Sequence, residues 1–191
     1  MQNYPNKHFI ETDLASLYEL IERFPLATLI CHSHDAVFLP LQLSACKTKL
    51  FGHAAKNNPV LGHTTEPLNV IFHGESYYVS PNLVPQQTLP TWHYKTVHVK
   101  GTLSRFDTDA SAWENLAKQV RYFEQSEETP WQADSLSTKQ RTALLQHIDV
   151  FSIDIFSIKG HFKFSQNKSR EHQNAIAHAI QRTNACCSVH R

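Results

Sequence analysis

Tyr94-Lys95-Thr96-Val97-His98-Val99-Lys100-Gly101-Thr102-Leu103-Ser104-Arg105-Phe106 alternates apolar and polar side chains over most of its length. Successive side chains of a strand point to opposite faces. Val97, Val99 and Leu103 therefore share one face, and Tyr94, Thr96, His98 and Lys100 the other. A strand this long with one apolar face needs neighbours on both edges and a core beneath it.

The flanking sequence supplies both. Upstream, residues 26–31, 36–43, 49–51, 68–72 and 76–80 have strand character, with His73-Gly74 expected to break the last pair. Val37, Leu39, Leu41 and Leu43 fall on one face of the second of these. Before them, Thr12-Asp13 reads as a helix cap, and Leu14, Leu17, Tyr18 and Ile21 recur at helical spacing until Pro25. Downstream, 109–125 and 137–147 read as amphipathic helices joined by a polar loop. Residues 148–158 are apolar at both parities, as in a strand covered on both faces, and 169–182 reads as a last helix.

The early strands follow one another with no crossover helix, which argues against a doubly wound parallel sheet. The expected fold is mainly β with peripheral helices (α+β), an antiparallel barrel. One domain over 1–185 is expected, with 186–191 as a disordered tail.

A chain of 191 residues with 41% hydrophobic content can bury a substantial single core. No apolar run is long enough for a membrane span, and the N-terminus lacks the apolar core of a signal peptide, so a cytoplasmic protein is expected. Cys31, Cys46 and the vicinal Cys186-Cys187 form neither a disulfide framework nor a CxxC spacing. A net charge of +1 gives no cationic stripe, so direct nucleic-acid binding is not expected. Five glycines form no GxGxxG or P-loop. Cys31-His32-Ser33-His34 has no second cluster at zinc spacing, so no metal site is expected.

Three stretches could carry chemistry. Gly52-His53-Ala54-Ala55-Lys56-Asn57-Asn58-Pro59 reads as a strand end, a Gly turn and one short helical turn stopped by Pro59. Unpaired N–H groups and Lys56 would attract an anion there, and an ordinary corner with a surface lysine accounts for the same residues. Ser80-Pro81 and Pro90-Thr91-Trp92-His93-Tyr94 bracket a proline-rich loop. Trp92 and Tyr94, at i and i+2, would share a face and could stack on a ring or pack in the core. Lys163, Ser165, Gln166 and Asn167 offer donors for a phosphate or a ring edge, or a cap for the last helix.

Taken in order, these blocks resemble the PaiB-like family of FMN-binding split-barrel proteins, labelled negative transcriptional regulators. The resemblance also rests on Tyr4-Pro5 through Thr12-Asp13-Leu14, on Leu39-Pro40-Leu41 and on Tyr78-Val79-Ser80-Pro81, and runs from residue 4 to about 180. It implies a split β-barrel homodimer with FMN at the subunit interface. His53 and Lys56 would sit near the phosphate, and Ser80, Thr91 and Trp92 would line the isoalloxazine. Lys163, Gln166 and Asn167 would close the site. The chain departs from the pattern at Phe38, where relatives have His, at His93, where they have Asn, and in the 82–89 loop.

The function implied is a flavin-dependent oxidoreductase, flavin reductase-like, with a small-molecule electron donor or acceptor. No catalytic side chain is assignable, since the flavin would carry the electrons. A flavin-linked transcriptional regulator is the alternative the family label suggests. The thirteen histidines motivate a third, a haem-binding split barrel.

Overall fold

A computed structural model describes residues 5–31, 35–62, 66–82 and 89–187. Its strands are β1 (Ile10–Glu11), β2 (Leu26–Ile30), β3 (Val37–Pro40), β4 (Gln42–Leu43), β5 (Lys49–Ala55), β6 (Leu68–Val79), β7 (Thr91–Arg105) and β8 (Ile148–Lys163). Its α-helices are α1 (Leu14–Arg23), α2 (Asp109–Glu124), α3 (Thr138–Leu145) and α4 (Arg170–Cys187). The strands form one antiparallel eight-stranded sheet in the order β3-β2-β6-β7-β8-β5-β4, with β1 added to the far end of β8. The coiled sheet leaves β3 and β4 as edges, so the barrel is split rather than closed, as expected.

The central pair β7/β8 sets the geometry. Tyr94 faces Lys163 at one end of the ladder and Arg105 faces Phe151 at the other. Val97, Val99 and Leu103 are buried, as the alternation requires, and join Leu29, Leu50, Val70, Phe72, Phe151 and Ile153 in the main core. Burying large aliphatic and aromatic side chains is worth about 1.5–3 kcal/mol each, and this cluster dominates the fold. Helix α1 closes one end of the barrel with Leu17, Leu20 and Ile21, and its N-cap Asp13 accepts a hydrogen bond from Ser16 N at 2.9 Å. Helices α2 and α3 cover β5 and the start of β8, so Val150–Ile153 is buried at both parities. Helix α3 begins in a capping box between Ser137 and Gln140.

Several boundaries differ from the sequence reading, each for a physical reason. Residues 36–43 are two strands: Leu41 turns into the core and its N–H bonds Pro25 O at 2.9 Å, so β3 pairs with β2 while β4 crosses to β5. His73-Gly74 does not break β6, because the sheet absorbs it as an irregularity between His73 and Ser76. Strand β8 continues past Ile158 to Lys163 because β7 and β1 pair with that half. Helix α4 runs past Arg182 to Cys187, and 188–191 lie outside the described residues.

The largest correction falls on Gly52. It makes no turn: it sits in mid-β5 opposite Phe151, and strand pairing continues through Ala55. A Cβ there would stand 2.6 Å from Leu41 Cδ2 and 2.8 Å from Phe151 Cζ. The glycine is needed for close packing, not for a bend. The helical turn is of the 3-10 type and follows Pro59, at Pro59–Gly62, so no helix start precedes that proline.

Candidate functional site

The candidate residues fall into two groups at opposite ends of β7 and β8. At one end, His53 lies opposite Val150, and Lys56 N bonds His147 O at 3.0 Å. At the other, Thr91 and Trp92 open β7, Lys163 ends β8, and Gln166 and Asn167 follow it. Roughly 50 Å of strand contour separates the two ends of β8.

The first end is a cationic corner. Lys56 Nζ lies 3.9 Å and Arg105 Nη1 3.1 Å from the same carboxylate, Asp149. Two cations share one anion, and both keep much of their surface in solvent. Arg105 also donates to Leu61 O, tying the 3-10 turn to β7. Arg105 and Asp149 escaped the sequence reading, since neither lies in a motif and only the register brings them to Lys56. His53 has a different environment. Its Nδ1 lies 3.3 Å from Gln119 Oε1 on α2, and its ring lines an apolar cavity that an anion would enter only at a large cost in hydration.

The second end is aromatic and polar. Trp92 is 55% exposed, and its ring meets that of Tyr78 edge-on at a centroid distance of 5.8 Å. Tyr94 meets His161 in the same manner at 5.3 Å, so Trp92 and Tyr94 do share the outer face. Lys163 Nζ donates to Thr91 Oγ1 at 2.9 Å. The Gln166 amide is spent within its own turn, accepting from Phe164 N and donating to Phe162 O. Asn167 is exposed. Ser80 Oγ accepts from Asn82 N at 3.2 Å, and 83–88 of the adjoining loop lie outside the described residues. Ser169 caps α4 by accepting from His172 N, the alternative role open to this stretch.

His93 links these parts. It is buried, its Nε2 lies 2.9 Å from Ser165 Oγ, and its ring packs on Phe164 at 5.3 Å. Burial, then the charges of Lys163 and His172, push its pKa down to about 4, so it is neutral near pH 7. Its Nδ1 is buried with no hydrogen-bond partner among the described residues. A cationic corner, exposed aromatic rings and an orphaned polar atom beside Lys163 suit a molecule with an anionic tail and a heteroaromatic ring. Among the described residues no group of three or more His, Cys, Asp or Glu side chains could hold a metal ion.

Residues 3–157 match the model of the family described as "Putative FMN-binding domain". The chain belongs to this family. FMN, the cofactor expected from the sequence, is the one by which the family is defined. The chain is 27% identical over 181 residues to the "Protease synthase and sporulation protein PAI 2" of Bacillus subtilis (strain 168), covering 91% of this chain and 87% of that one. This agrees with the PaiB-like resemblance. Among solved structures, the flavocytochrome Anf3 of Azotobacter vinelandii superposes with a TM-score of 0.65 at 12% identity, over 87% of this chain and 75% of that one. The FAD and heme binding protein of Mycobacterium smegmatis superposes with a TM-score of 0.64 at 16% identity, over 87% and 79%. At such identities these two relatives speak to the split-barrel fold alone. Among the described residues no helix is long and apolar enough to cross a membrane.

Proposed function

We propose that the chain binds FMN between two copies of itself and serves as a flavin-dependent oxidoreductase of the flavin reductase type. The observation that carries this reading is the separation of the two candidate groups along β8. One protomer offers a phosphate corner and an aromatic platform, too far apart along the strands to serve one ligand, and an antiparallel partner would bring one of each together. A two-fold axis makes two equivalent sites of this kind.

In this arrangement Lys56 and Arg105 hold the phosphate, which competes with Asp149 for the two cations. Trp92 and Tyr78 supply the stacking face, and Lys163, fixed by Thr91, presents a cation to the ring edge. His93 stays neutral and positions the Lys163–Asn167 turn through Ser165, with Ser80 and Asn167 at the rim. Bound flavin supplies the electron-carrying chemistry, and the protein's part is placement and electrostatics. Titration of FMN into purified protein, followed by absorbance and sedimentation, tests this. A yellow dimer with one FMN per chain is expected, and a colourless monomer that takes up no FMN contradicts it.

A regulatory role is the second reading, favoured by the identity to the sporulation protein over nearly the whole chain. The balanced charge gives no surface for neutralising DNA phosphates, so such a role would act through a protein partner. A DNA-shift assay at physiological salt checks this, with no shift expected.

A further inference from the structure

Among the described residues no helix covers the outer side of β2, β3, β6 and β7. Helix α1 packs into the core, α2 and α3 cover β5 and the start of β8, and α4 sits on Val79. Strand register carries one continuous row across the open side, Phe38–Thr28–Ile71–His98–Lys159, from β3 to β8. Leu26, Ile30 and Phe38 stand exposed on it, Phe38 by 67%, with Tyr78 and Trp92 farther along the same side. Large apolar side chains gathered on one open face mark a protein contact. The flavin reading, on which this inference rests, says what makes that contact. Tyr78 and Trp92, the platform it lays between two copies, belong to this face, so the occupant is a second copy.

The same face carries three histidines. His73, Thr96 and His161 lie side by side in one row, and His98 stands diagonally from both histidines. His73 Nε2 is 3.1 Å from Thr28 Oγ1, His98 Nε2 is 3.3 Å from Thr96 Oγ1, and His161 meets the Tyr94 ring edge-on. Their charged neighbours are basic. Lys100, Lys159 and Lys163 share the face, and Lys7 and His8 belong to the 3-10 turn whose Phe9 ring reaches His161. The acids of these strands are engaged elsewhere: Glu75 with Arg23, Glu11 with the N–H groups of Thr12 and Asp13, Asp154 with Lys49 and Asp149 with Arg105.

Neutral imidazoles can be covered by a partner. Charged ones would meet the same three charges across a two-fold axis, with no carboxylate to answer them. Burial, then the charges of His161 and His73, already holds His98 below the ordinary histidine pKa, and burial, then Lys163, does the same for His161. A docked copy adds to that burial, so the dimer refuses protons that the monomer accepts.

We propose that a second copy of the chain docks on this face along the Phe38–Lys159 row, and that protonation of His73, His98 and His161 separates the two copies and opens the shared FMN site. Sedimentation with excess FMN from pH 7.5 to 5.5 tests this, with circular dichroism to follow folding. The dimer should weaken roughly tenfold or more over that range. A variant carrying His73→Gln, His98→Gln and His161→Gln together should lose this pH dependence. Phe38→Asp and Leu26→Lys, at exposed positions, should each give a folded monomer at pH 7.5.

A wild-type monomer at pH 7.5 overturns the proposal and the two-copy flavin site together. A dimer that survives both surface substitutions and still binds FMN overturns this face alone. Acid dissociation that persists in the triple variant overturns the part given to the histidines. A dimer split by Phe38→Asp that takes up no FMN supports the contact and overturns the flavin reading.

Discussion

His93 Nε2 and Ser165 Oγ, on two buried side chains, stand 2.9 Å apart, and this contact ties β7 to the turn that follows β8. Ser165 is held there at a φ of 60°, a left-handed conformation that costs a non-glycine residue roughly 1 kcal/mol. The hydroxyl can donate to or accept from Nε2, so acid threatens not this bond but the burial of the ring, which opposes a positive charge.

Acid should therefore weaken the fold. The pKa of His93 is lowered to about 4 in the native chain from an ordinary 6.5. Above pH 6.5 both states are neutral. Between 6.5 and about 4 the unfolded chain binds a proton that the native chain refuses, so stability falls with pH, by roughly 3 kcal/mol in total from this residue. His98 and His161, lowered chiefly by burial, add in the same direction. Urea midpoints measured from pH 7.5 to 4.5 should drop, and a folded His93→Gln variant should show a flatter profile.

Gly52 and Gly62 make a paired prediction. Gly52→Ala forces a methyl group against the fully buried Leu41 and Phe151 and should destabilise by about 1–3 kcal/mol. Gly62→Ala meets nothing within 4 Å among the described residues and should change stability by less than about 0.5 kcal/mol. Denaturation midpoints check both, and equal effects would mean that close packing does not explain Gly52.

The corner around Asp149 predicts opposite signs for two substitutions. Lys56→Ala should weaken FMN binding roughly tenfold by removing a phosphate partner. Asp149→Asn removes the competing carboxylate and should tighten it roughly fivefold. Calorimetric titration at constant ionic strength reads both. Unchanged affinity in the lysine variant would remove Lys56 from the site.

Alternation made β7 legible, because Val97, Val99 and Leu103 face a core that spans its length. The same rule misjudged residues 36–43, where the pattern is continuous but Leu41 leaves one ladder for another. Gly52 misled because local chemistry offers two uses for glycine, a bend or a close approach, and only the distant Phe151 decides between them. The aromatic face of Trp92 and Tyr94 was readable from spacing alone. The Arg105–Asp149 pair was not, since its partners are 44 residues apart in the chain and meet only through strand register. Gln166 looked like a donor to a ligand, yet the turn it belongs to uses both ends of its amide.

Mixing two defective variants tests the shared site most directly. Lys56→Ala spoils the phosphate corner and Trp92→Ala the ring platform, and each homodimer should bind FMN weakly. If every site draws one element from each protomer, an unfolded and refolded equal mixture should recover about a quarter of the wild-type sites at full affinity, since half the dimers are mixed and each carries one intact site. Recovery of no high-affinity sites, with mixed dimers present, would contradict the two-protomer site.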